Sequence, residues 1–341
     1  MIAIPEVLAR SVRLELGHED AARWIRALPD VVDDLLARWK LTVESLSGTP
    51  WAGYQSIVLP VRTVDGVPAA LRVASPIANN PAAHQQLRSA LETWDGFGSV
   101  RLMAADAGHN ATLLERLDQT IDLNSVPLQT AASMWGGVVR ALSRPAPPGL
   151  VTVQGTAQRW IDDFPGKAAQ LLPSFRLFTG TDNMLVQATL NTARALATAP
   201  DAYLVHADLH YSNVLSSHPD PANGQRTWKA IDPYPVSGPV AFAVAPMLWN
   251  RLAEVPANEP EEQAAWLRAH CTSLCHAAGI DPAQGAAVSV AREIENLFWY
   301  LADFAQGDQR AHADAARSLW VARAISGHSV GGIDVHSLAG L

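Results

Sequence analysis

Apolar and polar positions follow two different periods along this chain. Up to about Lys40 the apolar residues recur at helical spacing: Ala22, Trp24, Ile25 and Leu28, then Val31, Val32, Leu35 and Leu36. Steps of three and four place them on one face of a helix with 3.6 residues per turn. From Leu41 the period shortens to that of strands. Residues 57–61 and 68–73 read as a hairpin, because Asp65-Gly66 between them is a strong turn signal. A helix is predicted over 81–93. A second strand pair is predicted over 100–104 and 112–115, joined by Ala107-Gly108-His109-Asn110. Residues 48–53 read as a loop between strand segments. Beyond this the pattern is mostly helical, with the Pro-rich stretch 145–149 a loop between helices and the residues from Gly327 onward loosely held. Five strands with one inserted helix, followed by helices, belong to the α+β class. The expected division is a small antiparallel lobe over residues 1–115 and a larger, mainly helical lobe over 116–341.

One stretch departs from this regular patterning and carries candidate chemistry. Leu204-Val205 leads apolar into a loop holding His206, Asp208 and His210; Asn213 follows, and Val214-Leu215 resumes a strand. A second apolar strand ends in Ile231 and presents Asp232 just before Pro233 stops the ladder. Joined through Asn223-Gly224, the two strands form a hairpin with Asp208, Asn213 and Asp232 at one mouth. These are hard oxygen donors of the kind Mg²⁺ takes while keeping its other positions for water and phosphate. One carboxylate left over beside two metal ligands is what phosphoryl transfer requires: a base for the attacking hydroxyl and a clamp for the nucleotide. Two plainer readings stand beside it. A lone aspartate before a strand usually satisfies turn donors. The His206-x-Asp208-x-His210 pattern also invites zinc, although no third or fourth ligand lies at a credible spacing.

His206-Ala-Asp-Leu-His-x-x-Asn213 followed by Ile231-Asp-Pro233 resembles the catalytic and metal loops of the aminoglycoside and hydroxyurea phosphotransferases, and among them most of all the streptomycin 6-kinases. Trp24-Ile25-x-x-Leu28-Pro29, Trp94-Asp95-Gly96-x-Gly98, Leu113-Leu114-Glu115-Arg116-Leu117 and Leu248-Trp249-Asn250-Arg251 look like further family landmarks in the same order. The resemblance implies a two-lobed, protein-kinase-like fold that uses ATP and Mg²⁺. It implies Asp208 as the base and Asn213 and Asp232 as the metal ligands, with the flanking histidines shaping the loop. Residues 48–53 would be the flap over the nucleotide phosphates, with Ser56 as a nearby donor. Arg72 would be the phosphate-binding cation, and the backbone of Glu115 and Leu117 would meet the adenine edge where the lobes join. For the acceptor, Glu295, Trp299 and Asp303 recur at helical spacing on one face of a helix over 291–303, an acid-and-aromatic wall suited to a cationic sugar. A plain amphipathic helix with Leu297, Trp299 and Leu301 as core reads the same segment equally well.

Three departures from the family pattern bear on activity. Arg72 stands where the family has a lysine; it keeps the charge but is a planar fork, not a point cation. No Asp or Glu occurs between Ala74 and Leu91, where the family offers a glutamate to that cation, and Gln85 and Gln86 are the nearest polar substitutes. The family's Gly-Asp-Pro-x-Phe-Asp appears as Gly238-Pro-Val-Ala-Phe-Ala243, without either aspartate. Two readings therefore remain: a kinase phosphorylating a hydroxyl of a small polar molecule such as an aminoglycoside or amino sugar, or a kinase-fold module that binds nucleotide or ligand without useful turnover. The three cleft oxygens favour the first, since a site without chemistry has no need of all of them.

Composition narrows the partners. With 48% hydrophobic and 17% charged residues, the 341-residue chain is ordinary for a soluble protein of two lobes. A net charge of −8 and the absence of any basic run argue against nucleic acid. Cys271 and Cys275, a helical turn apart among apolar residues, read as buried thiols. Glu6 and Arg10 interrupt the start before an apolar leader forms, and no apolar run approaches a membrane span. The chain reads as cytoplasmic, with a small-molecule substrate.

Overall fold

The amphipathic run before Lys40 becomes two helices, α1 (Glu6–Leu16) and α2 (His18–Arg38), separated by Gly17 at φ +78°, a conformation open to glycine alone at little cost. The computed structural model describes residues 4–44, 51–53, 55–76, 81–220, 222–256 and 258–338. The chain divides into two units, Met1–Asp118 with Ser217–Arg226, and Gln119–Ser216 with Thr227–Leu341.

In the first unit the strand-period segments are β1 (Thr42–Val43), β2 (Trp51–Ala52), β3 (Ser56–Arg62), β4 (Pro68–Ala74), β5 (Leu102–Asp106) and β6 (Ala111–Glu115), with α3 (Pro81–Trp94) between β4 and β5. They form an antiparallel sheet in the order β1-β3-β4-β6-β5, with β2 also on β3. The Asp65-Gly66 turn closes the β3–β4 hairpin as its sequence predicts, the Gly66 N–H donating to the Thr63 carbonyl at 2.9 Å. Ile57, Leu59, Val61, Ala69, Leu71, Val73, Ala111 and Leu113 line one face and are buried against Leu8, Val12, Leu28, Val32 and Leu35 of α1 and α2. Because side chains alternate along a strand, Ser56, Val58, Arg72 and Thr112 share the other face, with Arg72 directly opposite Val58 and Thr112.

Two expectations need correction here. Trp51 and Ala52, inside the segment read as a loop, pair with Val58 and Ile57 and so add a sixth strand; residues 48–50 lie outside the described residues. The strand expected from residue 100 begins at Leu102 and is bulged between Leu102 and Ala104.

The second unit contains α4 (Leu128–Leu142), α5 (Val153–Leu171), α6 (Asn183–Leu196), α7 (Pro260–Ala278), α8 (Pro282–Ala305) and α9 (Ala311–Ser326). Trp135, Trp160, Phe164, Phe298 and Trp320 fill its core. Helices α4 and α7 cross so closely at Gly136 that any Cβ there would collide with the Ala277 backbone. Two small sheets hold the chemistry-bearing loops. The strands are β7 (Asp118–Asp122), β8 (Arg144–Pro145), β9 (Val151–Thr152), β10 (Tyr203–His206), β11 (Val214–Ser216), β12 (Trp228–Ala230) and β13 (Pro235–Gly238), ordered β8-β10-β13-β9 and β12-β11-β7. Pro145, read as loop, is thus the end of a short strand. Strands β11 and β12 pair antiparallel as expected, but the connection containing Asn223-Gly224 is a long excursion, not a tight two-residue turn. Cys271 and Cys275 are buried and free. Among the described residues no helix is long and apolar enough to cross a membrane.

Candidate active site

Strand β10 ends at His206, a 3₁₀ turn covers Tyr211–Asn213, and β11 starts at Val214. The main-chain groups of Ala207 and Asp208 in the intervening loop are all hydrogen-bonded. The Ala207 N–H donates to the Tyr234 carbonyl at 2.8 Å, and the Ala207 carbonyl accepts from Arg292 Nη1 at 2.7 Å. The Asp208 N–H donates to His206 Nδ1 at 3.1 Å, and the Asp208 carbonyl accepts from Asn213 Nδ2 at 2.9 Å and from the His210 N–H at 3.1 Å. With the backbone so committed, the Asp208 carboxylate is what the loop presents outward: its side chain is 49% exposed, and His210 Nε2 is 3.9 Å away. Unlike that of a turn aspartate, its carboxylate accepts from no local backbone donor among the described residues.

His206 ties this loop to the next. Its Nδ1 accepts from Asp208, so its proton sits on Nε2, which donates to the Ile231 carbonyl at 3.0 Å. Burial pushes its pKa down, which keeps it in this neutral form. Both ring nitrogens are occupied, so His206 is a structural bridge and the zinc reading loses its first ligand. Burial lowers the pKa of His210 in the same way.

The same bridges place Asp232. The Ile231 N–H donates to the Asn213 carbonyl at 2.9 Å, and Tyr234 accepts from Ala207, so the chain must turn sharply between them. Asp232 makes that turn at φ +45°, with its side chain exposed. The carboxylates of Asp208 and Asp232 both act electrostatically on both imidazoles, so the two acids lie close to one pair of histidines. Asn213 donates its Nδ2 to Asp208, which leaves Oδ1 as a lone-pair donor. One amide oxygen and one carboxylate fit Mg²⁺, which takes few protein oxygens and completes its shell with water and phosphate. Among the described residues no group of three or more His, Cys, Asp and Glu side chains is placed to hold a metal by itself.

The helices brace this loop through residues that the local motif does not contain. From α4, Trp135 Nε1 donates to the Leu209 carbonyl at 3.0 Å. Tyr211 is buried with its hydroxyl 3.0 Å from His270 Nε2 on α7. Arg251 lies 5.0 Å over the Tyr211 ring and donates to the carbonyls of Leu123 and Val126. Sequence patterning alone signals none of these roles except Arg251, which sits in a family landmark.

His270 carries a pH prediction. Burial, with Trp266 stacked on its ring and the Arg251 charge nearby, pulls its pKa down to about 4. Above the unfolded value of about 6.5 it is neutral in both states and its contribution is complete. As pH falls below that value, the unfolded chain takes a proton that the folded chain refuses, and stability declines until about pH 4. The gap corresponds to about 3 kcal/mol. Urea midpoints measured from pH 7 to 4 should fall, and His270→Gln should flatten that slope. An unchanged slope in the variant would place the acid sensitivity elsewhere.

In the first unit, Ser56 is buried at the start of β3, and Arg72 is half-buried on the same sheet face. Thr112, beside Arg72, has a buried hydroxyl with no partner among the described residues and escaped sequence reading. The Glu115 N–H is committed to the Arg101 carbonyl at 2.9 Å. Leu117 is 4% exposed, and its main-chain groups make no hydrogen bond among the described residues. On α3, Glu92 is engaged by Arg88 at 2.7 Å.

On α8, Glu295 accepts from Trp160 Nε1 at 2.7 Å, Asp303 is half-buried with its pKa raised by burial, and Trp299 is 61% exposed beside Tyr300. Leu297 and Leu301 are core, but Trp299 is not, so the purely amphipathic reading fails at that residue. Between the two positions where the family's aspartates are missing, the retained Phe242 stacks on Trp160, their rings 6.1 Å apart.

The sequence profile described as aminoglycoside/hydroxyurea antibiotic resistance kinase matches residues 38–303. The chain is 33% identical over 330 residues to the streptomycin 6-kinase of Streptomyces glaucescens, covering 96% of this chain and 98% of that protein. It is 30% identical over 309 residues to the hydroxyurea phosphotransferase of Kitasatospora aureofaciens, covering 88% and 82%. Its fold is similar to the crystal structure of a choline kinase from Streptococcus pneumoniae, with a TM-score of 0.55 at 14% identity over 88% of this chain and 99% of that one.

Proposed function

Because the chain belongs to the aminoglycoside/hydroxyurea antibiotic resistance kinase family, it is a small-molecule kinase, and we propose that it transfers the γ-phosphate of Mg-ATP to a hydroxyl of streptomycin or a related aminoglycoside or amino sugar. The observation that carries this reading is the fully hydrogen-bonded backbone around an outward-facing Asp208 carboxylate, beside an Asn213 whose amide is oriented to offer its oxygen. Asp208 takes the proton of the acceptor hydroxyl as that oxygen bonds to the γ-phosphorus and the bond to the ADP oxygen breaks. Asn213 Oδ1 and the Asp232 carboxylate would hold Mg²⁺, which when bound would supply positive charge against the phosphates. Arg72 and Ser56 contact the phosphates, and the Glu115 carbonyl and the Leu117 main chain contact the adenine edge. The main chain of buried Leu117, without a hydrogen-bond partner among the described residues, supports that assignment, since such groups are costly to leave unpaired. Glu295, Trp299 and Asp303 serve the cationic acceptor. A cytoplasmic location goes with ATP as the donor.

The test is to incubate the purified chain with Mg-ATP and streptomycin, or hydroxyurea, and to follow ADP release and phosphorylated product by mass spectrometry. ADP release that depends on an acceptor is expected. Nucleotide binding without release for any aminoglycoside would favour the binding-module reading.

Arg72 gives a second prediction. Arg72→Ala should raise KM for ATP roughly ten- to hundredfold, since a charge-assisted contact to phosphate contributes about 1.5–3 kcal/mol. Arg72→Lys should be no better than the parent, because no carboxylate between residues 74 and 91 is present to orient a lysine. A sharp rise in turnover for the lysine variant would show that the site is built for lysine after all.

A further inference from the structure

The peptide group joining Ala207 to Asp208 is held at both ends. Its N–H is held by His206, a neighbour in sequence; its carbonyl is held by Arg292, from the middle of α8. The same Arg292 Nη1 also donates to the Phe242 carbonyl at 3.0 Å. The guanidinium lies 4.7 Å over the Phe242 ring and 5.6 Å over that of Trp249. Among the described residues it makes no ion pair, and its Nε is buried without a partner.

Glu295, Asp208 and Glu293 act on it only from beyond ion-pair distance. A buried cation without a directly paired carboxylate is a poor stabilising element; an apolar side chain of similar volume usually serves folding as well or better. What the guanidinium offers is direction. It is planar and rigid, and two ring faces fix its plane, so the N–H reaching Ala207 has one orientation. That N–H fixes the tilt of the peptide plane from which the Asp208 side chain departs. We propose that Arg292 is a positioning residue that aims the Asp208 carboxylate by clamping the Ala207 carbonyl. The aromatic platform at Phe242, the phenylalanine kept between the two lost aspartate positions 239 and 243, is the support of this clamp. The proposal rests on Asp208 being the base, and misplacing a reacting group by about 1 Å costs on the order of a hundredfold in rate.

Arg292→Met and Arg292→Lys test it. For Arg292→Met we expect kcat to fall about a hundredfold with KM for Mg-ATP unchanged, a melting temperature equal to or above that of the parent, and faster hydrogen exchange at the Asp208 amide. Arg292→Lys, with one compact donor and no fixed plane, should fall between Arg292→Met and the parent in both kcat and exchange. If Arg292→Met does not fold, the lysine variant is read by the same criteria. Unchanged kcat in either folded variant would overturn the proposal. So would a kcat loss matched by equal losses of nucleotide affinity and thermal stability, which is the mark of a merely structural residue. The exchange measurement is independent of the reaction. A parent that transfers no phosphate would defeat the kinase reading while the Asp208 amide still judges the clamp, and unaltered exchange would remove the clamp even if the parent is a kinase.

Discussion

Asp208→Asn is expected to lower kcat by roughly 10²–10⁴-fold, the usual contribution of a general base, with little change in melting temperature or in nucleotide affinity. The structure makes this substitution unusually clean. All the hydrogen bonds that shape the loop at this position run through the main chain of Ala207 and Asp208 and through His206, Asn213 and Arg292. None of them uses the Asp208 carboxylate, which has the His210 imidazole 3.9 Å away. Asparagine keeps the volume and polarity and removes only the capacity to take a proton. Initial rates at saturating Mg-ATP and acceptor, set beside nucleotide titrations of the same variant, separate chemistry from binding. Undiminished turnover would mean that another group accepts the proton or that none is needed. Residual activity is compatible with the assignment, because positioning and charge supply much of the acceleration in phosphoryl transfer.

The parts of this site that were legible in sequence are those packed into a short span. His206, Asp208 and Asn213 lie within one loop, and their spacing already encodes the hydrogen bonds from Asp208 to His206 and from Asn213 to Asp208. The β3–β4 hairpin was legible for the same reason, since its turn and its alternating faces are local properties. What escaped was set by packing between distant segments. Trp135, His270 and Arg292 reach the loop from three helices, and in sequence each is an ordinary residue on a part-buried helix face. Strand β2 escaped because two residues cannot establish a period, and Trp51 and Ala52 are strand only by virtue of pairing with Val58 and Ile57. Phe242 was visible only as the phenylalanine kept between two lost aspartates; that a cation stacks there requires knowing that α8 brings Arg292 over the ring.

Asp232 offers the sharper test of metal binding, and its backbone decides which substitution to make. It sits at φ +45°, where asparagine and aspartate are tolerated and alanine costs about 1–2 kcal/mol. It also precedes Pro233, which narrows the backbone choices further. The turn is enforced from both sides, by His206 Nε2 on the Ile231 carbonyl and by the Ala207 N–H on that of Tyr234. Asp232→Ala would therefore mix strain with the loss of a ligand, whereas Asp232→Asn removes the charge and keeps the conformation. For Asp232→Asn we expect affinity for Mg-ATP to fall about a hundredfold, since a hard-cation site that loses a carboxylate forfeits several kcal/mol of charge stabilisation. Affinity for ATP measured in EDTA should match that of the parent, and higher Mg²⁺ concentrations should recover part of the loss. Calorimetric titrations of parent and variant, each with and without Mg²⁺, give all four numbers. Equal affinities in Mg²⁺ would reduce Asp232 to a turn residue and leave the metal to be held by other oxygens. A drop that is just as large in EDTA would mean that the carboxylate shapes the nucleotide site without touching a metal. Only a loss confined to the Mg²⁺ arm makes Asp232 a ligand, and it would explain why the fold holds a non-glycine residue in a left-handed turn at this point.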